Sequence, residues 1–111
     1  MEKTKYTVDY VREQNDKFRK SLVKTPMFRV VLTAGVADSQ IREKIIETVR
    51  LFDSFSDAND PHKEHDCALF DLDGIKYMFK FDYYDKNLEY GVDPLEDEPY
   101  RVLTIMQASE R

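Results

Sequence analysis

The chain has 111 residues and a mass of 13.2 kDa, with 17 Lys and Arg against 22 Asp and Glu, a net charge of −5 and a single cysteine. Seven Tyr and seven Phe are too many for a disordered tail, and the length suits one domain over residues 1–111 that buries about two-thirds of its extended surface on folding. The acidic balance argues against direct nucleic-acid binding, no apolar run is long enough to cross a membrane, and the N-terminus lacks a secretory signal, so a cytoplasmic protein is expected.

Thr7 is placed to cap a first helix in which Val8, Val11, Asn15, Phe18 and Leu22 fall at helical spacing, and which should end before Pro26. Phe28 to Thr33 is β-branched and apolar on both faces, which predicts a central strand closed by Gly35. Asp38 or Ser39 should cap a second helix, with Ile41, Ile45, Thr48, Val49 and Phe52 on one stripe and Arg42, Glu43, Glu47 and Arg50 facing water. Asn59-Asp60-Pro61 marks a turn.

Asp73-Gly74 sits between two runs of alternating polarity, 66–72 and 75–83, because a type I′ turn needs positive φ at both central residues. A two-residue loop sets the register. Leu72 should face Ile75, Phe70 Tyr77, Ala68 Phe79 and Asp66 Phe81 on the apolar face, with Asp71 opposite Lys76, Leu69 opposite Met78, Cys67 opposite Lys80 and His65 opposite Asp82 on the other. A last strand is expected at 101–107. The order α-β-α-β-β-β predicts an α+β domain with two helices on one face of a mostly antiparallel four-stranded sheet.

Charge is unevenly distributed. Residues 1–24 hold seven Lys and Arg against four acids, 53–66 hold five acids against Lys63, and 85–100 hold six acids against Lys86. The 85–100 connection is longer than a hairpin loop and is rimmed by tyrosines, which marks Tyr90, Asp93, Glu96, Asp97 and Glu98 as candidate partner-binding residues.

A second candidate cluster is His65, Asp66, Asp82, Tyr84 and Asp85, since a carboxylate beside an imidazole fixes its tautomer as a general base or a metal ligand requires. The same pair reads equally as a cross-strand ion pair. His62 and His65 lie too close to strand geometry to converge on zinc, Cys67 lacks an oxyanion-binding turn, and Gly35, Gly74 and Gly91 stand too far apart for a phosphate loop. No metal site and no cofactor is therefore expected.

Gln14-Asn15-Asp16-Lys17-Phe18-Arg19, Arg29-Val-Val-Leu-Thr-Ala-Gly-Val36, Asn59-Asp60-Pro61, Glu64-His65-Asp66, Asp82-Tyr83-Tyr84-Asp85 with Tyr90-Gly91, and Arg101-Val-Leu-Thr-Ile-Met106 together resemble a bacterial family of short single-domain proteins catalogued only as a domain of unknown function. Ala68 stands where that family's pattern has glycine, and His62 where it has tyrosine, which weakens any site built on His62. The resemblance implies no activity or cofactor. Its presence on chromosomes and plasmids suggests an inhibitor of a host defence or DNA-processing complex. The leading expectation is thus a non-enzymatic module that binds a protein partner; the alternative is a small metal-dependent hydrolase or nuclease-like enzyme centred on His65 and Asp82. A homodimer through the strand edge at 101–107 or through the outer sheet face is a further expectation.

Overall fold

The computed structural model describes residues 4–111. Four helical segments and four strands follow one another as α1 (Val8–Ser21), β1 (Phe28–Leu32), α2 (Ala34–Ala37), α3 (Arg42–Leu51), β2 (Cys67–Leu72), β3 (Ile75–Tyr84), β4 (Tyr100–Gln107) and a C-terminal 3₁₀ turn (Ala108–Glu110). The sheet order is β1-β4-β3-β2, with β2–β3 and β3–β4 antiparallel and β1–β4 parallel.

The α+β class and the four strands stand as expected, but the sheet is mixed and the expected central strand is an edge. β1 carries Arg29 and Val31 outward, so its burial alternates, whereas β4 is buried on both faces and lies inside the sheet. Residues 101–107 accordingly offer no free edge for pairing. The expected second helix is α3, which starts at Arg42 with Ser39 Oγ accepting from Ile41 N–H just ahead of it, and a short helix that was not expected, α2, precedes it: Ala37 N–H closes a turn on Thr33 O and Asp38 ends it.

The hairpin register is the expected one at every pair from Cys67–Lys80 to Leu72–Ile75. Asp73 and Gly74 take φ of 52° and 82°, as the tight turn demands. Phe70, Tyr77, Phe79, Phe81, Leu103, Ile105 and Phe28 fill the helix-facing side of the sheet with Val36, Ile45 and Val49, and aromatic rings stack or meet edge to face from Phe18–Phe28 to Phe52–Phe79.

α1 begins as read, with Tyr10 N–H donating to Thr7 Oγ1, and ends in a left-handed residue, Leu22, well before Pro26. Its docking is largely polar. Asn15 and Arg19 are buried beside Val11. The Arg19 guanidinium donates to Val49 O and Phe52 O at 2.8 Å and to Asp16 Oδ1 at 3.0 Å, while Arg50 Nε donates to Lys20 O at 2.8 Å. Each helix thus satisfies the open carbonyls at the other's C-terminus, groups that cost about 1–3 kcal/mol apiece when buried without a donor.

Candidate functional site

The Glu64-His65-Asp66 run enters β2 through two left-handed residues, Lys63 at φ 60° and His65 at φ 53°. Asp66 O accepts from Phe81 N–H, so strand pairing continues through Asp66, but the kink at His65 turns its side chain off the face it would occupy in a strand. The expected His65–Asp82 pair is not formed. Asp82 instead lies 2.9 Å from Lys80 Nζ on the outer face. His65 Nδ1 meets Asp16 Oδ1 at 2.9 Å, Nε2 faces Asp60 Oδ2 at 3.5 Å, and the ring stacks on Phe55 with centroids 3.8 Å apart. Asp60 is 4% exposed and its Oδ1 accepts from His65 N–H. Phe55, Asp60 and His65 form one wall of a cleft of about 230 Å³ bounded also by Arg12, Ser56, Asp57 and Lys63, with Asp16 behind His65.

Next to His65, Glu64 starts a hydrogen-bonded chain that crosses the molecule. Tyr83 Oη donates to Glu64 Oε1 at 2.9 Å, Asn15 Nδ2 donates to Tyr83 Oη at 2.8 Å, and Arg101 Nε donates to Asn15 Oδ1 at 2.8 Å. Arg101 Nη1 and Tyr10 Oη then both donate to Glu98, at 3.1 and 2.9 Å. Arg101 is 2% exposed and lies against the Phe18 and Tyr83 rings. Burial raises the Glu64 carboxyl above its ordinary value, with the Tyr83 bond opposing it, and burial raises Asp66 likewise. The Tyr83 phenol is held far above its ordinary value by burial, and the Cys67 thiol is pushed up by burial and by Asp66, which leaves it a poor nucleophile. Among the described residues, no group of three or more His, Cys, Asp or Glu side chains is placed to hold a metal ion.

Of the candidate cluster, only His65 lines the cleft; Asp66 follows it into strand pairing with Phe81, and Asp82 is turned to Lys80 on the outer face. Tyr84 pairs with Tyr100 at the end of the sheet and bridges to Gly91. Asp85 organises the loop that follows: its Oδ1 accepts from Asn87 and Glu89 N–H at 3.2 and 2.9 Å, and its own N–H donates to Tyr90 O. Asp93 does the same further on, accepting from Leu95 N–H at its side chain and from Glu96 and Asp97 N–H at its carbonyl. Leu95 O in turn takes Tyr6 N–H, and Tyr6 stacks on Tyr10. Tyr90 stands 70% exposed on this framework, with Glu96 and Asp97 exposed nearby in the same loop, while Glu98 is committed to Arg101 and Tyr10.

Asn15, Asp16, Arg19 and Arg101 organise both regions and were not singled out from the sequence, although three of them lie in the Gln14–Arg19 motif. The signal was an amide inside an apolar helical stripe, with charged residues one and four positions on.

A family model described as a protein of unknown function, DUF3768, matches residues 32–110. The chain belongs to this family. No curated protein and no solved structure matches it significantly. The matched stretch runs from the last residue of β1 to the C-terminal turn and includes the cleft and the 85–100 loop, while α1 precedes it. No helix among the described residues is long and apolar enough to cross a membrane.

Proposed function

We propose that the protein is a non-enzymatic binding module whose contact surface is the 85–100 loop, and that its partner is a protein with a basic surface. The observation that carries this reading is Tyr90, an aromatic ring 70% exposed on a loop that backbone and Asx bonds hold in one shape. A rigid loop has little conformational entropy left to lose on binding, and tyrosine contributes large contact area with few rotors. Glu96 and Asp97, exposed in the same loop, supply steering toward positive charge. A narrower form, inhibition of a host defence or DNA-processing complex, puts these carboxylates where DNA phosphates would sit on the partner, and duplex DNA should then compete for the complex.

The test is affinity capture from the host's lysate after nuclease treatment, wild type beside Tyr90→Ala and beside Glu96→Gln/Asp97→Asn. A stoichiometric protein should be retained by the wild type, lost with Tyr90→Ala, and held with a shallower salt dependence by the neutralised pair. Retention of the same protein by all three chains, or a capture that vanishes with nuclease, rules the reading out.

The hydrolase or nuclease-like alternative keeps one support, His65 at the wall of a 230 Å³ cleft with its Nδ1 held by Asp16. Its form with Asp82 as the orienting group has no geometric basis. If divalent metals raise the melting temperature of the wild type but not of Asp60→Asn, the alternative gains ground.

A further inference from the structure

β2 is an edge strand, and its register states which backbone groups it leaves open. Phe81 N–H donates to Asp66 O at 2.7 Å, so 66 and 81 form a hydrogen-bonded pair. Alternation then turns the backbone of Ala68, Phe70 and Leu72 toward β3, and that of Cys67, Leu69 and Asp71 away from the sheet. Among the described residues none of the three outward N–H and three outward C=O groups has a partner. The side chains of the same three residues lie on the outer sheet face, where Leu69 is 45% exposed. Cys67, Leu69, Met78, Ala58, Asn59 and Arg111 border a largely apolar groove of about 290 Å³ beside this edge.

We infer that the occupant of this edge is the β2 strand of a second copy, paired antiparallel about a two-fold axis at Leu69. In that register Leu69 meets Leu69 of the second copy, and Cys67 meets its Asp71 twice over. All six outward groups of each copy are then bonded. Shifting the axis to Ala68 or Phe70 leaves an outward residue of the strand opposite none. Charge favours the same register. Asp71, held loosely in its own chain by Lys76 at 3.7 Å, comes to lie opposite Cys67 of the other copy, at the groove that Arg111 also borders. The two Leu69 side chains cover each other, and Ala68 opposes Phe70 on the helix side, a small residue against a large one. The product is an isologous pair with one eight-stranded sheet, and the strand edge that would template uncontrolled association is closed. Its surface is separate from the 85–100 loop, so the pair would present two such loops.

Sedimentation equilibrium of the full chain should give twice 13.2 kDa at high micromolar concentration. Asp71→Arg should weaken the dimer by about 10-fold or more, and Asp71→Arg/Arg111→Asp should restore it, as expected for two symmetry-related charge pairs across the axis. Cys67→Ser/Leu69→Cys should form an intermolecular disulfide on mild oxidation, because directly opposite residues of a bonded pair stand about 5.5 Å apart at Cα. The wild type should not crosslink through Cys67, which in this register lies about 13 Å from its symmetry mate, four residues along the strand. A monomer at every concentration overturns the inference, also if the edge then binds a foreign extended peptide. So does a dimer indifferent to Asp71→Arg, or one that crosslinks through Cys67 and not through position 69.

Discussion

Glu64 shows how a single side chain at the site trades charge against burial. Its carboxylate accepts from Tyr83 Oη at 2.9 Å, yet burial outweighs that bond and raises its pKa above the ordinary 4.5. An acid whose folded pKa is raised binds its proton more tightly in the native state, so stability declines as pH rises from 4.5 through the raised value. Glu64→Gln keeps an acceptor for Tyr83 and removes the charge. The variant should therefore melt above the wild type at pH 7, with the difference closing as pH falls below 4.5, where Glu64 itself is neutral in both states. Thermal melts of the two chains across this range check it, and a difference that persists unchanged at low pH would assign the effect to packing. Asp66, also raised by burial, repels the Glu64 charge, so Glu64→Gln relieves Asp66 as well and the two effects add in the same direction.

The elements differ in how far the sequence revealed them. The β2–β3 hairpin was legible to the residue because Asp73-Gly74 leaves one turn and one register. β1 was misplaced because Phe28 to Leu32 is apolar enough to read as central, while what sets position in the sheet is the parallel pairing to β4, a contact between residues some 70 apart. His65 was assigned to the wrong face because nothing in Lys63-Glu64-His65 announces two left-handed residues without glycine. A close approach that glycine alone permits is found at Gly35, where an added Cβ would lie 2.6 Å from Glu110 Oε1. The Glu110 carboxylate accepts from Thr33 Oγ1, Gly35 N–H and Gln107 N–H, tying the C-terminal turn to α2. Because the obstacle is the free end of a flexible, exposed side chain that can turn into water, Gly35→Ala should leave the global melting temperature nearly unchanged. Amide exchange at positions 35, 107 and 110 should quicken while β3 and β4 stay protected. Unchanged exchange at those positions would mean that the tie does not hold the turn.

For the whole molecule, the decisive question is what α1 and β1 supply to the matched stretch, residues 32–110. Asn15 connects Glu64 and Tyr83 to Arg101, Arg19 satisfies the end of α3, and Phe18 stacks on Phe28, which in turn meets Phe81. Removing residues 1–31 takes away the Asn15 acceptor of Arg101 and the Arg19 donor of the Val49 and Phe52 carbonyls, opens these groups to water, and exposes β4 along the edge that β1 now covers. The larger loss is apolar: Val11 and Phe28, both fully buried, and Phe18, packed on Phe28, leave the core, and burial of each side chain of this kind contributes about 1.5–3 kcal/mol, so together they approach the roughly 5–15 kcal/mol that holds a domain of this size together. The 32–110 fragment should therefore lack a cooperative thermal transition and bind a hydrophobic dye, where the full chain melts in one step. A cooperative melt of the fragment would show that α1 is an appendage rather than part of the fold, and that the hydrogen-bonded chain from Glu64 to Glu98 is not needed to position the 85–100 loop.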